Sequence, residues 1–97
     1  MLYCKMHNLQ NTFILACCDK ELIGKTLKDD QREVFIDENF YKGKLIDEPK
    51  LAGLLKEAES INLFGKKSVG VAIEKGFISA TDIITIDGIE HAIIMKV

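Results

Sequence analysis

Arginine is almost missing from this chain: Arg32 is the only one among 13 basic residues. The guanidinium group is the usual reader of phosphates and base edges. With 15 acidic residues the net charge is −2, so overall charge draws neither nucleic acid nor an anionic membrane. A nucleic-acid role would have to rest on a local patch. Long apolar runs are missing too. The longest, Phe13 to Cys18, is far too short to span a bilayer. Met1-Leu2-Tyr3-Cys4-Lys5 has no basic leader followed by an apolar signal region. These absences predict a cytoplasmic protein with no membrane partner. Cysteine is scarce, with three residues and no C-x-x-C pair. That count argues against a disulfide framework, a zinc knuckle or thioredoxin-like chemistry, and no metal or cofactor is expected.

What is present reads as one globular domain over residues 1–97, with 47% apolar and 29% charged residues. A chain of this size buries about 60–65% of its unfolded surface, enough to fold without staples. Leu2–His7 and Thr12–Cys18 flank Asn8-Leu9-Gln10-Asn11 and predict a β-hairpin. Symmetric closure opposes His7 to Thr12 and Cys4 to Leu15. Leu2, Cys4, Met6, Phe13, Leu15 and Cys17 then share an apolar face, with Tyr3, Lys5, His7, Thr12, Ile14, Ala16 and Cys18 on a mixed one. Cys4 and Cys17 are expected as core hydrophobes, and Cys18 as a partly reactive thiol. Asp19 to Gly24 reads as one helical turn capped by Asp19. Lys28–Arg32 is a polar loop and Glu33–Ile36 a short strand. Asp37–Gly43 forms a turn carrying Phe40-Tyr41, and Lys44–Ile46 is extended.

Asp47 as N-cap, Pro49 in the first turn, and Leu51, Leu54, Leu55 and Ala58 at helical spacing predict a helix over about 48–63. A second, at about 67–75, ends at Gly76. Gly70 inside it costs about 1 kcal/mol against alanine, which suggests close packing there. Ile83–Ile86 and Ile89–Val97 around Asp87-Gly88 predict a closing hairpin, with Ile84, Ile86, Ile89, His91, Ile93 and Met95 on one face. The expected fold is α+β: a two-layer sandwich, its mainly antiparallel sheet built from N- and C-terminal hairpins, with two helices on one face.

Two strings hint at phosphate binding, Gly24-Lys25-Thr26 and Gly65-Lys66-Lys67-Ser68. A phosphate-cradling loop needs a further glycine five residues before the first of these, where the chain has Asp19 and Ser60. A P-loop is excluded, all the more because the second string is expected to follow a helix. The start of the second helix, beside Lys66, Lys67 and Ser68, could still dock an anion. His91 on an apolar strand face is either a satisfied structural residue or a base, and Glu90 points away from it. His7 reads as a solvated residue near a turn. Cys4, His7, Cys17 and Cys18 divide between two faces and form no metal set. Asp29-Asp30, Asp37-Glu38 and Asp47-Glu48 sit in loops or at a cap, and no catalytic triad can be placed. Tyr41, beside Lys42, Gly43 and Lys44, either pins its own turn to the core or stacks on a base or ring.

Taken together, Cys18-Asp19-x-x-Leu22-Ile23-Gly24-Lys25, Phe40-Tyr41-x-Gly43, Asn62-Leu63-x-Gly65 followed by Ser68-Val69, and Gly88-x-x-His91-Ala92 resemble a small archaeal family, domain of unknown function 424. The likeness spans almost the whole chain. It implies a compact intracellular α+β protein with no assigned activity and an association with translation and ribosome-assembly genes. Position by position it points to Asp19, Gly24, Lys25, Tyr41, Gly43, Asn62, Gly65 and His91. The family pattern has an acidic residue after Gly65, whereas this chain has Lys66 and Lys67.

Two functional readings follow. The first is a non-enzymatic binding module for a protein or ribonucleoprotein partner, its surface drawn from Asp19, Lys25, Tyr41, Asn62 and His91. The second is a small-molecule-binding protein or small enzyme with a pocket around His91, Asn62 and Asp19. A homo-oligomer formed by pairing of sheet edges is a third expectation.

Overall fold

The link between the first two strands is tighter than a four-residue loop. In the computed structural model, which describes residues 1–96, β1 (Leu2–Leu9) and β2 (Thr12–Asp19) are joined by Gln10 and Asn11 alone. Both have positive φ, 52° and 66°, as a type I′ hairpin turn requires. Pairing therefore slips by two residues from the symmetric expectation, placing Cys4 opposite Cys17 and His7 opposite Ile14. A slip of two leaves every side chain on its expected face. Leu2, Cys4, Leu15 and Cys17 are buried in one core as anticipated. The slip changes the cysteine chemistry, however. Cys4 and Cys17 lie 4.2 Å apart at Cα and are joined by a disulfide, not left as two free thiols. Cys18 is fully buried, and burial pushes its thiol up to about 12. The expectation of a partly reactive thiol on the mixed face is therefore corrected.

After a short 3₁₀ turn at Lys20–Leu22, β3 (Thr26–Lys28) and β4 (Glu33–Phe35) form a separate two-stranded sheet. A one-turn helix, α1 (Glu38–Tyr41), and β5 (Lys44–Ile46) follow. The next helix departs most from expectation. α2 covers only Glu48–Leu54, capped by the Asp47 side chain on Lys50 N–H. Leu55–Glu59 turns back, and Ser60–Phe64 is a strand, β6. The expected helix over 48–63 is thus corrected to a helix and a strand. Leu51, Leu55 and Ala58 all reach the core, so the helical spacing survives the end of the helix and masks the switch. α3 (Lys66–Glu74), β7 (Ile84–Ile86) and β8 (Ile89–Met95) complete the chain. Val97, the last residue of the expected final strand, lies outside the described residues.

The main sheet has the order β5-β1-β2-β6-β8-β7. All its pairings are antiparallel except β2 with β6, which is parallel. The α+β architecture stands, with α2 and α3 packed on one face against Leu2, Leu15, Ile61, Leu63 and Ala92. The expectation of two layers needs one addition. A second core, with Cys18, Leu22, Leu27, Ile36, Tyr41, Phe64 and Ile86, lies on the opposite face. There the segment containing β3, β4 and α1 covers the sheet around Ala16, Cys18, Phe64 and Ile86. Among the described residues no helix is long and apolar enough to cross a membrane.

The disulfide closes a loop with a sequence separation of 13, which by loop-closure entropy stabilises the fold by about 2–3 kcal/mol. Cys4→Ala with Cys17→Ala should lower Tm by roughly 10–20 °C. Dithiothreitol should lower the parent Tm similarly and leave the variant unchanged, as read by circular dichroism.

Candidate functional site

β2 and β6 run parallel, so their carboxyl ends lie side by side, and α3 starts at that point. Asp19, the last residue of β2, is 3% exposed and fills the start of α3. Its Oδ2 accepts from Lys67 N–H at 2.9 Å, and its Oδ1 accepts from Ser68 N–H and Ser68 Oγ–H, both at 2.8 Å. Asp19 therefore caps α3 from 48 residues away, not its own short turn, where it makes no side-chain cap. Gly65 makes the corner with φ 112°, and a Cβ there would collide with the Asp19 carboxylate. The idea of an external anion at this helix start is overturned, because the protein supplies the anion itself. Gly65-Lys66-Lys67-Ser68 also follows a strand, not the helix expected. The P-loop exclusion now rests on Ser60 and on Asp19 occupying the amides.

The opposite face of the sheet carries a different cluster. Phe64 and His91 are cross-strand partners whose rings stack at 3.9 Å between centroids. Tyr41, from α1, meets Phe64 edge-on at 5.8 Å and donates its hydroxyl to Asn62 Oδ1 at 2.8 Å. Offset and edge-to-face pairs of this kind contribute about 0.5–1.5 kcal/mol each beyond burial. Tyr41 is buried and pins its turn to the core, the first of the two roles open to it. His7 is not merely solvated: its ring stacks on Phe40 and its Nε2 donates to Phe40 O at 2.8 Å. His91 Nδ1 sits 2.9 Å from Leu63 O, an acceptor only, so Nδ1 carries the proton. Burial sets His91 below the ordinary value of 6.5, opposed by the Leu63 carbonyl and reinforced by the charge of Arg32.

The fold thus brings together three of the five residues singled out in the sequence, Tyr41, Asn62 and His91, around Phe64. Asp19 lies on the helix face, as alternation with Cys18 demands. Lys25 is exposed in the covering segment, where its backbone pairs with Leu22 and Ile36. Past this cluster the sheet face opens toward Leu9, Ile93 and Met95, whereas Ala16 is fully buried and His7 lies against Phe40. Successive rows across it read Lys5, Ala16, Asn62, Ile93, then His7, Ile14, Ser60, Met95, then Leu9, Thr12. Ile93 is 58% exposed, Met95 75% and Leu9 57%. Alternation along the last strand already put Ile93 and Met95 beside His91. Joining them to Ile14 required β6, whose strand character the sequence hid. Among the described residues no three His, Cys, Asp or Glu side chains form a metal set.

A mixed six-stranded sheet with two helices on one face and a small β-hairpin cover on the other defines a small α+β class. The chain belongs to the family described as protein of unknown function (DUF424), matching it over residues 7–97. Its structure is similar to the crystal structure of an uncharacterized conserved protein from Methanopyrus kandleri. The TM-score is 0.80 and the identity 27%, over 99% of this chain and 93% of that one. No curated protein matches the chain. The family and archaeal likeness expected from the motifs are borne out.

Asp19→Ala strands two backbone amides and a hydroxyl and should cost about 2–4 kcal/mol. Gly65→Ala should cost more than Gly24→Ala in urea titrations. Both glycines have positive φ, but only at Gly65 does the added methyl meet a neighbour. For His91 the unfolded state binds more protons than the folded one once pH drops below 6.5. Stability should therefore be flat above that value and fall as pH decreases through 6.5 toward the lower folded value. His91→Gln should remove that component from Tm profiles recorded between pH ~7 and ~5.

Proposed function

We propose that this protein is a non-enzymatic, cytoplasmic binding module whose docking surface is the uncovered half of the sheet, with a protein as its partner. The observation that carries the reading is the grouping of Leu9, Ile14, Ile93 and Met95 on one open sheet face. Exposed apolar groupings rimmed by polar residues are the usual mark of protein contact. The amide nitrogen of Asn62 stays free to donate, because only Oδ1 is used by Tyr41. The composition of this face favours protein over RNA within a ribonucleoprotein. It carries no arginine and one lysine, and that lysine, Lys5, donates to Asn39 O at 2.9 Å. The rings nearest it, His7 and Phe40, are stacked on each other, so they offer no free platform for bases. The reading as an enzyme or metabolite-binding protein has less support, since Asp19 faces α3 and His91 is held under Phe64.

The test couples capture to the surface. Ile93→Lys with Met95→Lys should leave Tm within a few degrees, because both side chains are exposed, and should abolish stoichiometric capture of a protein from archaeal lysate. Capture should depend only weakly on salt, unlike phosphate contacts. Equal capture by the variant, or capture of RNA with a steep salt dependence, would overturn the proposal. So would stabilisation of the protein by a metabolite in a thermal-shift screen.

A further inference from the structure

We propose a second site, at the outer edge of β1, that takes an extended acidic peptide as an added strand. It lies apart from the open sheet face, so either reading can fail without the other. β5 pairs with β1 only through Leu2, Tyr3 and Cys4, although β1 runs on to Leu9. The orientation of the remaining backbone follows from the Cys4–Cys17 pair. Its Cα separation of 4.2 Å is that of a non-hydrogen-bonded antiparallel pair. Cys4 therefore turns its N–H and C=O away from β2, toward β5. By the same alternation Met6 and Asn8 turn theirs outward, past the end of β5, where no strand of the described residues meets them. Gly43 marks the point of departure. A Cβ there would strike the Cys4 carbonyl and lie 2.9 Å from Lys5 Cα, so the chain can hug the edge only as glycine before leaving it.

Beside this free edge is a cleft of about 360 Å³, at the lower end of the range for ligand sites. Cys4, Met6, Leu15, Ile46 and Leu54 form its floor, Lys44 and Lys50 stand beside it, and no carboxylate lines it; Lys5 also borders it, but its ammonium is taken by Asn39 O on the other face of the sheet. Lys44 and Lys50 take part in no ion pair among the described residues. In a protein of net charge −2, two lysines beside an apolar floor that no carboxylate lines are complementary to an acidic ligand. The unpaired backbone selects among acidic ligands. A strand offers donors and acceptors at the spacing of Met6 and Asn8, and one of its faces can present both apolar side chains to the floor and carboxylates to Lys44 and Lys50, which stand on the floor side of the sheet. A free aliphatic acid would satisfy the floor and the lysines but leave the edge unpaired.

The probe is a fluorescein-labelled heptapeptide, Glu-Thr-Leu-Thr-Val-Thr-Glu, whose leucine, valine and two glutamates share one strand face, titrated by anisotropy against the whole protein. Saturable binding is expected, weakened about tenfold or more by Lys44→Glu with Lys50→Glu, whose exposed side chains leave Tm unchanged. The same peptide with alternate backbone amides N-methylated should not bind, and Met6 and Asn8 amide resonances should shift with the parent peptide alone. Equal binding of the methylated peptide would reduce the site to ionic attraction and overturn strand addition. Full competition by dodecanoate at equal concentration, or no saturable binding of the peptide, would overturn it as well.

Discussion

The carboxylate of Asp19 at the start of α3 is the contact on which the rest of the arrangement depends. It ties the end of β2 to the turn after β6, and so locks the one parallel pairing in an otherwise antiparallel sheet. Strand-turn-helix corners at the carboxyl ends of parallel strands are where α/β proteins commonly hold phosphates. Here the chain closes its own corner with a buried side chain, and Gly65 has no Cβ because the carboxylate occupies that space. The corner is therefore closed to an external phosphate.

Local signals in the sequence were faithful wherever an element is bounded by its own residues. The Asp87-Gly88 turn pairs Ile84 with His91 and Ile86 with Ile89, as two-residue geometry requires. The Asp47 cap and Pro49 open α2 where they should. The face of every residue in the first hairpin was legible too, because a slip of two residues preserves it. What could not be read was β6. Its five residues do alternate, Ser60 and Asn62 half-buried on one face and Ile61 and Leu63 buried on the other, but so short a run between turns carries little weight against a helical pattern. The helical spacing of Leu51, Leu55 and Ala58 ran straight into them. Without β6, neither the partner of Asp19 nor the continuity of Ile14 with Ile93 and Met95 could be seen. The disulfide was hidden by the same type of error, since a hairpin loop of two residues instead of four is what brings Cys4 opposite Cys17.

The residues that carry the family resemblance turn out to be architectural. Asp19 and Gly65 build the corner, Gly43 lets the chain approach the Cys4 carbonyl, and Tyr41 with Asn62 fastens the small cover to the sheet. His91 is the underside of Phe64. The two docking surfaces proposed above are made instead of residues without any motif, such as Ile93, Met95, Lys44 and Lys50. The motifs mark what holds the scaffold together, and the exposed apolar residues come together only once the sheet is assembled.

The central position of β6 also orders the assembly of the molecule in time. The two strands of the first hairpin are separated by a two-residue turn and can pair as soon as they are made. β6 begins about forty residues after β2 ends and must slot between that hairpin and β8. Closing that loop costs entropy before any sheet contact repays it. Until it closes, the inner edge of β2 and the apolar face of Leu15 and Cys17 stay open to other chains. The early disulfide partners lie on that face, so oxidation can record the hairpin before the sheet exists. The single parallel joint of the native state is thus also the pairing with the longest sequence separation in the sheet.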